Sequence, residues 1–159
     1  LGGDAENMPF KDKTFDFLVN LGSLEHFLDK TESVREMTRV VKKEGGIMII
    51  VPNRRDLKTM WKKFRTGIGN DQDGQEEITF MTYEEWRRFL EEAGLVVERA
   101  VKYNGFATID WFYKRKNPKI ITLTEKMVRK LLTIFLRPLI PMSFSGYFIF
   151  ICKPSPRKT

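Results

Sequence analysis

Two short apolar runs, Phe-Asp-Phe-Leu-Val-Asn at residues 15–20 and Ile-Met-Ile-Ile-Val at residues 47–51, stand on either side of one helix-forming stretch. Turn-like residues bound both runs: Lys11, Asp12, Lys13 and Thr14 precede the first, while Pro52 and Asn53 close the second. Each therefore reads as a buried strand of a parallel sheet. Between them, Asp29 and Glu32 have the spacing of a helix-capping pair, Met37, Val40 and Val41 point inward, and Gly45 with Gly46 stops the helix. Strand, helix and strand in this order predict a βαβ unit with a right-handed connection.

Downstream the pattern weakens before it recovers. Leu57, Met60, Trp61 and Phe64 recur at helical spacing, and residues 67–74 form a polar loop, so 54–80 reads as a lid-like or substrate-facing insertion. Thr82 and Glu85 then give the T-x-x-E start of a second helix, with Trp86, Phe89, Leu90 and Ala93 on its inner stripe and Gly94 at its end. Strands are expected at 95–101 and 147–152. Between them, 102–145 is a basic amphipathic insertion. Within it, 122–137 predicts a helix with Leu123, Met127, Val128, Leu131, Leu132 and Phe135 on one face. Residues 155–159 are a tail.

Of the 159 residues, 42% are hydrophobic and 31% charged, as in a soluble globular domain. The net charge of +7 arises entirely within 111–140, where Lys114, Arg115, Lys116, Lys119, Lys126, Arg129, Lys130 and Arg137 face the single acid Glu125. A local excess of this kind points to an anionic partner for that segment, such as lipid head groups or a phosphorylated substrate, and makes nucleic-acid binding unexpected. The amphipathic stripe has two readings, a helix packed on the sheet or one lying on a membrane surface. Cys152 is the single cysteine, so no internal disulfide forms, and a cytoplasmic setting is expected, with peripheral membrane contact through 111–140 as its extension.

The run Gly-Asp-Ala-Glu-Asn-Met-Pro-Phe at residues 3–10, followed by Phe15-Asp16 and then Leu24-Glu25-His26, resembles the middle of a class I S-adenosylmethionine (SAM) dependent methyltransferase of the type 11 kind. The resemblance covers residues 1–101 and 147–154. It implies a Rossmann-like α/β sheet whose two final strands pair antiparallel at the edge. In that family a Gly-rich turn and an acidic strand end come before such a segment. The chain is accordingly expected to be the C-terminal portion of one methyltransferase domain, 1–154, truncated at the N-terminus.

What the resemblance implies about the site follows residue by residue. Asp4 would accept the exocyclic amino group of the adenine, and the Ala5 N–H would meet a ring nitrogen. Asn20, Leu21 and Gly22 would line the methionine part of SAM, while Asp16 is structural. His26, the single histidine, is a candidate base for a hydroxyl or phenol nucleophile; the alternative, which carries more weight, is that it only covers the cofactor or caps the following turn. Related quinone-ring enzymes place a Glu-His pair near a divalent metal, but Gly22 stands where their further carboxylate would be, so no metal is expected. Residues 67–74 match neither a nucleotide-binding loop nor an EF-hand.

The expected function is methyl transfer from SAM to oxygen or carbon of a small or lipid-like acceptor. The alternative is a non-catalytic truncated remnant that acts as a membrane- or protein-binding element.

Overall fold

Parallel strands cannot be joined by a hairpin, and the chain solves this with a helical crossover: β1 (Phe15–Leu21) leads through α1 (Lys30–Val40) into β2 (Val41–Pro52), which pairs with β1 in parallel. The computed structural model describes residues 3–55, 79–103 and 141–156, with Met60, Phe64 and Leu131 singly. After β2 come α2 (Tyr83–Glu92), β3 (Leu95–Tyr103) and β4 (Tyr147–Pro154). The sheet order is β1-β2-β4-β3, and β4 runs antiparallel to both of its neighbours. The sheet is thus mixed α/β, with the antiparallel final pair at one edge.

Register decides which residues share a face. Ile47 lies opposite Leu18 and Cys152, Ile49 opposite Asn20 and Phe150, and Val51 opposite Phe148. This face is buried together with Val34, Met37 and Val40 of α1 and Trp86 and Leu90 of α2, most of them fully inaccessible. Tyr83 anchors the start of α2 by stacking on Phe150 and meeting Phe148 edge-on. Both helices start where their caps dictate. The Glu32 N–H donates to Asp29 Oδ1 at 2.9 Å, and Thr82 and Glu85 form a complete reciprocal capping box.

Two local expectations are revised. The first helix ends at Val40, and Gly45 and Gly46 lie within β2. A Cβ on Gly45 would come 2.6 Å from the Asp16 carbonyl oxygen, and one on Gly46 would come 2.5 Å from the Phe17 ring, so close strand approach is what demands glycine there. β1, expected to be a buried core strand, is an edge strand among the described residues. Phe17, Val19 and Leu21, alternating onto the face away from the helices, are 55%, 45% and 66% exposed.

The lid-like insertion at 54–80 and the basic insertion at 102–145, with its helix at 122–137, lie largely outside the described residues. Met60 and Phe64 are exposed, and Leu131 is helical and half exposed. Among the described residues no helix is long and apolar enough to cross a membrane.

Candidate functional site

The loop before β1 runs along the flank of α1, and a ladder of bonds fixes its direction. At the start of α1, the Asp29 N–H donates to Glu6 Oε1 at 2.8 Å. About two turns further on, the Met8 N–H donates to Glu36 Oε2 at 2.7 Å, and Arg39 donates to the carbonyls of Met8 and Phe10 and to the carboxylates of Glu36 and Asp12. Arg39 holds the Glu36 carboxyl below the usual carboxylate range. At the far end the Lys13 N–H meets the Arg39 carbonyl. Because α1 starts just after the carboxyl end of β1, this ladder brings residues 4–6 to that same end of the sheet.

There, Asp4 and Ala5 sit in a tight turn. Asp4 Oδ1 accepts the Glu6 N–H at 2.9 Å, and its carbonyl accepts the Asn7 N–H at 3.3 Å. Asp4 is exposed and Ala5 half-buried, so the carboxylate faces outward with its second oxygen unused by the turn.

The end of β1 is built from the other candidates. Asn20 is buried, and its Oδ1 accepts the N–H groups of Ser23 and Leu24 at 3.4 and 3.2 Å. It therefore shapes the loop from inside. Gly22, at φ +66°, turns the chain out of the strand while its N–H continues the ladder to the Ile50 carbonyl at 3.0 Å. Leu21 projects into solvent. A 3-10 turn over Leu24–His26 follows, leaving the His26 side chain exposed at the rim. Asp16, far along the strand, pairs with Lys42 at 2.7 Å.

Sequence reasoning took Glu25 only as the companion of His26. The structure buries it: the residue is 5% exposed, and among the described residues its Oε2 has no hydrogen-bond partner. Burial raises its carboxyl above the ordinary range, an effect only partly offset by its own N–H and by His26 and Lys30. Oε1 lies 3.5 Å from where a Cβ on Gly22 would stand. The missed signal is weak: Glu25 stands between apolar Leu24 and the Phe27-Leu28 pair, but so short a run does not say which of its side chains turns inward. Cys152, by contrast, is an inert core thiol pushed up to about 12 by burial. Among the described residues no three His, Cys, Asp or Glu side chains converge as a metal site requires.

Residues 1–50 match a family model described as a methyltransferase domain. Norajmaline N-methyltransferase of Rauvolfia serpentina is 42% identical over 55 residues, which are 35% of this chain and 19% of that protein. The 27-O-demethylrifamycin SV methyltransferase of Amycolatopsis mediterranei is 27% identical over 112 residues, 68% of this chain and 39% of the relative. The chain thus spans under half the length of either. A solved chain from the Haloferax volcanii complex between the Trm112 methyltransferase activator and a candidate methyltransferase superposes with a TM-score of 0.61 at 16% identity, covering 100% of this chain and 62% of the other. At that identity the likeness speaks for the fold alone.

Proposed function

We propose, on the premise that this chain is a class I SAM-dependent methyltransferase, as the match of its first fifty residues to a methyltransferase-domain model supports, that it supplies one wall of a SAM cleft. From there it directs methyl transfer to oxygen or carbon of a small or lipid-like acceptor. The observation that carries this reading is the ladder along α1, which gathers the Asp4 turn and the Asn20 to Gly22 strand end at one rim. Ligands of open α/β sheets bind at the carboxyl ends of the strands.

The residues present fit the cofactor. Asp4 offers an outward carboxylate oxygen for the adenine amino group, and the Ala5 N–H stands beside it. At Gly22 the left-handed backbone and missing side chain leave room beside Oε1 of the buried Glu25. Leu21 presents an apolar surface to the thioether region. SAM, when bound, supplies an electrophilic methyl group on a sulfonium. The chain's own work is to orient that group, exclude water and remove the acceptor's proton. We assign removal of that proton to His26, exposed at the rim, because an imidazole is the side chain suited to that step.

Titration calorimetry with S-adenosylhomocysteine tests the reading. Asp4→Ala should weaken binding by roughly 1 to 3 kcal/mol, because a buried amino group loses its acceptor. An unchanged affinity would remove Asp4 from the cleft. A second reading, a non-catalytic protein- or membrane-binding element, draws on the exposed Phe17, Val19 and Leu21 and on the basic composition of 111–140. It predicts no nucleoside binding at all in the same experiment.

A further inference from the structure

Glu25 is an expensive residue to keep where it is. Its side chain is withdrawn from water in a segment fixed on several sides. Asn20 accepts the preceding N–H groups, the His26 N–H donates to the Ser23 carbonyl, and the Thr79 N–H donates to the carbonyl of Glu25 itself at 3.0 Å. These backbone groups have their partners, yet among the described residues Oε2 has no donor. A buried carboxylate oxygen left unpaired bears its desolvation penalty uncompensated. The other oxygen lies against the Gly22 turn, at the carboxyl end of β1.

We propose that the Glu25 carboxylate binds the α-ammonium group on the amino-acid arm of the cofactor, an inference that rests on the SAM reading above. The chemistry of the donors selects this group. In SAM only the adenine amino group, the ribose hydroxyls and the ammonium can donate a hydrogen bond, since neither the sulfonium nor the carboxylate carries a donor hydrogen. The adenine amino group belongs with Asp4, on a separate turn. Ribose hydroxyls also bond carboxylates, but in such folds they go to an acidic residue at the end of an earlier strand, and an ammonium adds opposite charge to the hydrogen bond, which a hydroxyl does not. Lys30 and His26 are the cationic and titratable neighbours, and their pull falls short of the burial penalty. A binding cation makes good that shortfall.

The test compares two nucleosides on the whole chain. S-adenosylhomocysteine keeps the ammonium. Methylthioadenosine keeps the adenosine and thioether but lacks the amino-acid arm. Glu25→Gln preserves size and an acceptor oxygen while removing the charge. The expected result is a loss of about ten- to a hundredfold in affinity for S-adenosylhomocysteine, with methylthioadenosine affinity held within about twofold as a check that the variant is folded. If the variant binds S-adenosylhomocysteine as the parent does, or if both nucleosides weaken equally, the ammonium assignment is overturned and the SAM reading stands. If neither nucleoside binds the parent chain, this chain alone does not form the amino-acid subsite and the ammonium assignment is overturned.

Discussion

Trp86 joins the second helix to the carboxyl end of β2, and removing its indole N–H should cost more than its size suggests. The residue is fully buried, and its Nε1–H donates to the Pro52 carbonyl at 3.0 Å. Pro52 is itself buried, so the carbonyl that loses this donor cannot turn to water. Orphaning such a carbonyl costs about 1 to 3 kcal/mol. Trp86→Phe also loses part of a ring that packs edge-on against Phe89, which adds about 1 to 2 kcal/mol of lost burial. The total, roughly 2 to 5 kcal/mol, is a large part of the stability of an ordinary domain, about 5 to 15 kcal/mol. Urea unfolding followed by circular dichroism measures it, and the slope should stay constant while the midpoint falls. Replacing the indole with benzothiophene, which keeps the shape and removes only the N–H, isolates the hydrogen bond. A loss below about 0.5 kcal/mol for that isostere would refute the reasoning, because the Pro52 carbonyl would then be satisfied elsewhere.

Asp4→Ala should leave the urea midpoint nearly unchanged, within about 1 kcal/mol, because the turn bond it removes is exposed; a larger fall would make Asp4 a folding residue. Stability should fall as pH rises from the ordinary glutamate value, about 4.3, through the raised value of folded Glu25, since over that window the folded state keeps a proton that the unfolded chain has released. Glu25→Gln removes this slope, so its midpoint should exceed that of the parent at about pH 8 and converge with it near pH 4. Parallel midpoints across that range would show that Glu25 is not desolvated.

Sequence pattern was most reliable where the physics is local. Asp29 with Glu32 and Thr82 with Glu85 mark helix starts because the capping bonds join residues three apart. The inner stripe of α2 follows from helical spacing alone, and Trp86, Leu90 and Ala93 are buried as it requires. Gly45 and Gly46 read as a helix stop, yet they serve the approach of Asp16 and Phe17 on a neighbouring strand, which no nearby residue announces. Phe17 and Val19 read as core because they are apolar, but what covers a face is a property of the whole assembly. The site divides along the same line. Asp4, Ala5, Asn20, Leu21, Gly22 and His26 came from motif order. The inward Asn20 Oδ1 and the burial of Glu25 needed the fold, which sets the Gly22 turn beside Glu25 Oε1 and the Thr79 N–H on the Glu25 carbonyl.

The pH slope of stability and the proposed ammonium contact are one effect seen from two sides. Without a ligand, burial favours the neutral Glu25 carboxyl. Beside an ammonium group the charged form is favoured, so binding must drive the proton off wherever the free protein still holds it. Affinity for S-adenosylhomocysteine should therefore climb with pH across the window in which stability of the free chain declines, and level off above it. Methylthioadenosine, with no ammonium, should show no such climb. Calorimetry in two buffers of different ionisation enthalpy counts the released proton directly. A binding heat independent of buffer inside that window would mean that Glu25 stays protonated in the complex, and its partner would then have to be a hydrogen-bond acceptor.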